Sequence, residues 1–131
     1  MKYLLDTNFC IHLLNRSNSE WVTKFLSMGP GRFAVSSIVQ AELEYGARKS
    51  QRVAANLDRV RRFLGPLENM PFDSKAAMEC GDIRATLERI GTPIGPNDLI
   101  IAATARANDL VVLTRNMREF ARVPGLLVDS W

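Results

Sequence analysis

Apolar residues in this chain fall into short unbroken runs set between longer stretches of helical spacing. Tyr3–Leu5, Phe33–Val35 and Leu110–Leu113 are such runs, each stopped abruptly by polar residues. Short runs without alternation are the pattern of strands buried on both faces of a parallel sheet. Leu67–Phe72 and Leu126–Val128 read as two weaker strands, the former at an edge or ended early because Pro71 cannot donate to a ladder. Between the strands lie helical segments. Asn8–Asn15 is densely apolar, Ser19–Met28 buries Trp21, Val22, Phe25 and Leu26, and Ile38–Arg48 places Ile38, Glu42 and Tyr45 on one face. Gln51–Leu64 turns Leu57, Val60, Phe63 and Leu64 inward, Asp73 caps a helix running to Ile90, and Leu99–Asn108 is apolar almost all round. Ser17 with Glu20, and Ser37 with Gln40, have capping-box spacing. Strands alternating with helices predict an α/β fold in which one parallel sheet is covered on both faces, with residues 1–131 as a single domain.

Composition narrows the class. A chain of 131 residues with 47% apolar and 24% charged residues has the balance of a folded domain rather than a disordered one. The net charge of +3 is mild, so a polyanionic partner must be argued from where the charges sit. Cys10 and Cys80 lie far apart, without metal-type spacing, and read as buried thiols of a reducing compartment. No signal peptide is expected at the start, and no apolar stretch approaches the ~20 residues of a membrane span. The expected location is cytoplasmic.

Three acids stand out by position. Asp6 ends a buried strand, Glu42 lies among apolar residues on a helix face, and Asp98 opens an apolar helix after the turn-rich stretch Gly91–Asn97. Each has a plain alternative: Asp6 as a helix cap, Glu42 as a satisfied boundary carboxylate, and Asp98 as an acid favoured by the helix dipole. Right-handed connections bring all carboxyl ends of a parallel sheet to one edge, where ligands bind. Three carboxylates gathered there would repel one another unless a divalent cation offsets the charge. Oxygen donors without His or Cys suit magnesium, or manganese, rather than zinc. Such an ion supports hydrolysis of a phosphodiester. The arginines at 48, 52, 59, 61 and 62 read mostly as a solvated helix face, but some of them, with Arg115 and Arg118 beside this candidate site, can hold phosphates. His12, Trp21 and Trp131 are expected to pack rather than to react.

Four stretches together resemble a known family: LLDTN at 4–8, SSIVQAELEYGARKS at 36–50, GTPIGPNDLIIAA at 91–103 and LTRNMREFARVPGL at 113–126. Their order and spacing resemble the PIN-domain ribonucleases, specifically the VapC-type toxins of bacterial toxin–antitoxin pairs, over essentially the whole chain. The resemblance implies a three-layer α/β/α fold with a five-stranded parallel sheet. It implies an endoribonuclease dependent on Mg2+, or on Mn2+, acting on RNA such as transfer RNA. It also implies a homodimer and a cognate VapB-type antitoxin that obstructs the acidic pit. Residue by residue, Asp6, Glu42 and Asp98 would be the metal ligands, and Asn8 and Thr114 would orient ligands and water. Many relatives carry a fourth acid in the turn where this chain has Asn116, which leaves at most three negative charges and a ligand that acts directly or through water. Two other classes compete with this reading. A receiver-like signalling domain needs an acceptor Asp after the third strand and a late Lys, and no Lys follows Lys75. A non-catalytic PIN-like module that binds RNA or protein would have lost its acids.

Overall fold

The computed structural model describes residues 2–131. Its elements follow the chain as β1 (Tyr3–Leu5), α1 (Thr7–Leu14), α2 (Ser19–Met28), β2 (Phe33–Ser36), α3 (Ser37–Arg48), α4 (Val53–Leu64), β3 (Glu68–Met70), α5 (Ser74–Arg89), α6 (Pro96–Ala107), β4 (Val111–Leu113), α7 (Met117–Phe120) and β5 (Leu127–Asp129). The strands form one sheet in the order β3-β2-β1-β4-β5, and every neighbouring pair is parallel. This is the five-stranded parallel α/β sheet expected from the sequence. The chain leaves β1 toward β2 and β3, then crosses back to β4 and β5. Right-handed connections running in opposite directions put α1–α4 on one face and α5–α6 on the other. The reversal makes the gap between β1 and β4 the switch point of the sheet, the place where open α/β sheets bind ligands.

β1 and β4 are the central strands, and Leu4, Leu5, Val112 and Leu113 are fully buried. Full burial of each such side chain contributes roughly 2 kcal/mol. β3 lies at the edge, as Pro71 required, and its first two residues are exposed. Around β1 the aromatic rings interlock. Phe9 stacks on Trp21 with centroids 4.6 Å apart, and Trp131 meets Phe9 and Phe33 edge-on. Both tryptophans therefore pack as expected.

Some local expectations are corrected. The cap of α2 is Asn18, whose side chain accepts from the Trp21 amide at 3.2 Å, whereas Ser17 pairs with His12 Nδ1 at 2.8 Å. The cap of α3 is Ser36 rather than Ser37, whose hydroxyl reaches Asn69 on the edge strand instead. Cys10 is fully buried and its thiol is pushed well up by burial, but Cys80 is only partly buried, and neither forms a disulfide. Arg59 is not a solvated charge alone. It donates to the Leu14 carbonyl at 2.9 Å and so ties α4 to the end of α1.

Candidate active site

The site is built outward from Asp6. Strand β1 ends at Leu5, and the Asp6 amide donates to the Leu113 carbonyl across the switch point at 3.2 Å. Its side chain is only 5% exposed. One carboxylate oxygen accepts from the Phe9 amide at 2.8 Å, so Asp6 does cap α1. The other accepts from the hydroxyl of Thr114, which is fully buried. The Thr114 oxygen in turn accepts from the Asn116 amide at 2.8 Å. Capping α1 therefore uses one oxygen of Asp6 and leaves the other to Thr114. Burial raises its pKa, and Glu42 adds to the rise, while Thr114, the Phe9 amide and His12 partly offset it.

Glu42 lies one turn into α3, with its side chain leaning back toward the helix start. It accepts from the Thr7 hydroxyl at 2.8 Å, which fastens it to the first residue of α1. Asp98 comes from the third position of α6, whose Pro96 sits at a helix start where its missing N–H is harmless. Gly91, with φ of +75°, turns the chain out of α5 into the loop that delivers Asp98. The Asp98 carboxyl is pushed up to about 6, first by burial and then by Glu119, Asp6 and Glu42. Every side chain that acts on it is thus another acid.

Glu119 is the member of this group that sequence reasoning missed. It stands in the first turn of α7, where one oxygen accepts from the Gly95 amide at 2.8 Å and the other from Asn116 Nδ2 at 2.7 Å. When Asp98 holds its proton, Glu119 accepts that too, and its own pKa is lowered, chiefly by the Gly95 amide. Glu119 thus stands as a fourth acid beside Asp6, Glu42 and Asp98. The available signal was local. Asn116 and Glu119 are three residues apart at a helix start, on the carboxyl edge of β4. Asn116 itself is exposed and serves to hold Glu119. Asn8 is exposed, and no side-chain hydrogen bond reaches it among the described residues.

The ion pairs seen among the described residues use other carboxylates, such as Glu44, Glu68, Glu79 and Asp82. None neutralises Asp6, Glu42, Asp98 or Glu119. No three His, Cys, Asp or Glu side chains of the described residues stand close enough as arranged to hold a metal ion. The donor chemistry nevertheless fits a hard divalent cation: oxygens only and excess negative charge, with Arg122 acting on Glu119 and His12 on Asp6 through space rather than as ion pairs.

The PIN domain family model matches residues 3–126. A relative named tRNA(fMet)-specific endonuclease VapC, from Salmonella typhimurium, is 42% identical over 131 residues, which is 100% of this chain and 98% of that protein. The chain is a PIN domain of the VapC family. Ribonuclease VapC2 of Rickettsia felis is 37% identical over 132 residues, again covering 100% of this chain and 98% of the relative. Among solved structures, DNA-bound VapBC from Salmonella typhimurium superposes with a TM-score of 0.94 at 42% identity, covering 100% of this chain and 98% of that one. VapBC2 from Rickettsia felis, bound to a DNA fragment from its promoter, gives 0.93 at 36% identity, covering 100% and 99%.

In this VapC-family site, Thr114 gives the cleanest local test. Thr114→Val keeps the shape but removes the hydroxyl that donates to buried Asp6. A buried carboxylate oxygen left without that donor costs roughly 2 kcal/mol. The melting temperature should fall by about 5 °C and single-turnover RNA cleavage by about 10- to 100-fold. Unchanged cleavage would show that the hydroxyl does not orient Asp6.

Proposed function

We propose that this chain is a Mg2+-dependent endoribonuclease that acts as the toxin of a VapBC-type pair. Its substrate is RNA, with transfer RNA the substrate class suggested by the name of the Salmonella relative. The observation that carries this reading is the gathering of Asp6, Glu42, Asp98 and Glu119 at one edge of the sheet, where no ion pair reaches them among the described residues and the Asp98 carboxyl is pushed up to about 6. A fold gains nothing from such repulsion. A site that takes up a cation does.

Asp6, Glu42 and Asp98, with Glu119, would hold the ion, Mg2+ or Mn2+ in its place. When bound, the cation eases deprotonation of an attacking water and offsets charge on the leaving oxygen. The residues of the chain supply the rest. Thr114 and the Phe9 amide fix the Asp6 carboxylate, Thr7 fixes Glu42, and Gly95 and Asn116 fix Glu119. Asn8 stands exposed at the start of α1, where it can meet substrate or water. Arg115 is exposed on the β4–α7 turn and Arg118 is exposed in α7, and both would take the RNA backbone. The whole chain works as one catalytic domain, and it works as a homodimer in the cytoplasm. No helix among the described residues is long and apolar enough to cross a membrane. A cognate VapB-type antitoxin would hold it inactive, by analogy with the VapBC complexes among its structural relatives.

Bulk transfer RNA incubated with the purified chain should be cut in the presence of Mg2+ and left intact in EDTA, as read by gel electrophoresis. Binding measured in EDTA should weaken steeply with salt, because each neutralised phosphate releases counterions. RNA that is bound but uncut with either Mg2+ or Mn2+ would leave a binding module in place of a nuclease.

A further inference from the structure

Trp21 packs in the core as expected, yet it does a second thing. The indole stacks parallel on Phe9, at 4.6 Å and 5°, and the Arg115 guanidinium lies over the same ring, with Cζ 5.1 Å from the centroid. Phe9 and Arg115, the two groups that meet the indole here, both connect to Asp6. Phe9 donates its amide to one Asp6 oxygen, and Arg115 directly follows Thr114, which donates to the other. Arg115 is exposed just past the carboxyl end of β4. Among the described residues it forms no ion pair and no hydrogen bond, and the indole is the group that holds it. Trp is the best of the aromatic rings at holding a cation, and such contacts are attractive whenever the cation sits within about 6 Å of the centroid.

We infer that Trp21 is a positioning residue for RNA binding: its ring holds the Arg115 guanidinium and presents it to a substrate phosphate. This inference rests on the nuclease reading above. The ring face holds the guanidinium without using its N–H groups, so all five donors stay available for phosphate oxygens. The aromatic stack joins the two halves of the site. Phe9 belongs to the helix that Asp6 caps, and Trp21 belongs to α2, so any shift of α2 would move the phosphate clamp relative to Asp6.

The test is a double-mutant cycle on binding of bulk transfer RNA in EDTA, with melting curves run on every variant. Arg115→Ala should weaken binding about tenfold and lower the log–log salt slope by about one, as expected for one lost phosphate contact. Trp21→Leu should weaken binding nearly as much and lower the slope by a similar amount, although the RNA does not need to touch the indole. Adding Trp21→Leu to Arg115→Ala should then cost little more. If Trp21→Leu fails to fold, Trp21→Phe keeps a flat but weaker ring. It should lose a few-fold in affinity, and that loss should vanish in the Arg115→Ala background. A loss on changing Trp21 that is equally large with and without Arg115 would overturn the inference and leave the nuclease reading untouched. Wild-type protein without salt-dependent affinity for RNA would overturn the nuclease reading, and this inference with it.

Discussion

Asp98→Asn should abolish RNA cleavage and at the same time make the metal-free protein more stable. The two effects have one cause. In the folded chain, burial and the charges of Glu119, Asp6 and Glu42 push the Asp98 carboxyl up to about 6, from an ordinary value of 3.8. The folded state therefore binds this proton more tightly than the unfolded state. Ionising the group costs folding free energy on the order of 2 kcal/mol, once solvent screening of a half-buried carboxylate is allowed for. That cost is fully present above about pH 6 and absent below about pH 4. Asparagine removes it, while giving up the favourable placement of a negative charge at the start of α6, worth about 0.5 kcal/mol. Repulsion wins. In EDTA at pH 7.5 the variant should melt about 5 °C above wild type, and the gap should close as the pH falls from 6 to 4. Added Mg2+ should narrow the gap by offsetting the charge in wild type. Cleavage should drop about a thousandfold or more, since a preorganised charge at the reacting centre is lost. A variant that melts at or below wild type at pH 7.5 would mean that the acids do not repel as described. One that cuts RNA normally would remove Asp98 from the site.

Much of this geometry is legible in the order of residues alone. β1, β2 and β4 stand out because strands buried on both faces must be continuously apolar, and Leu4, Leu5, Ala34 and Val112 are all buried. Once the strands alternate with helices, handedness alone carries Asp6 and the Thr114–Asn116 turn to one edge of the sheet. Cap positions are less legible. Asn18 and Ser36 each compete with a serine one residue away, and caps of these types differ little in intrinsic strength. What decides between them is which backbone enters the helix extended, and that depends on packing of the preceding strand or turn. At α2 the loser, Ser17, is taken by His12.

The hidden parts of the site are those made by loops. Glu119 sits in a four-residue helix with no hydrophobic period to orient it, and its importance comes from a loop residue 24 positions away, Gly95, whose amide it accepts. Asn116 occupies the turn where an acid is expected, and the acid lies three residues further on. Local spacing cannot tell which of two polar residues a turn delivers inward. The Trp21–Arg115 contact is hidden for a similar reason. Each residue has an adequate explanation alone, as core and as basic rim, and only the fold brings the two together.

Glu119→Gln should cut RNA cleavage about a hundredfold while leaving the fold nearly intact. The amide is the same size and its oxygen can still accept from the Gly95 N–H, so the 91–97 loop stays tied to α7. The Asn116 side chain can turn its amide over to pair with the new donor. What disappears is the charge. With it goes the largest single carboxylate influence on Asp98, whose pKa should fall back toward the ordinary range. Metal-free stability should then rise slightly, in the same direction as for Asp98→Asn but by less, because Glu119 also gains from the Gly95 and Asn116 bonds that hold its own pKa down. Glu119→Ala separates the charge from the tether. It removes both hydrogen bonds, frees the loop that delivers Asp98, and should lower the melting temperature by a few degrees in addition to losing cleavage. Calorimetry of Mg2+ binding on the RNA-free protein distinguishes the roles further, since loss of one of four acids should weaken metal affinity in both variants alike. If Glu119→Gln cleaves RNA as wild type does while Glu119→Ala does not, Glu119 is a tether for the Asp98 loop, and three acids are enough to run the site.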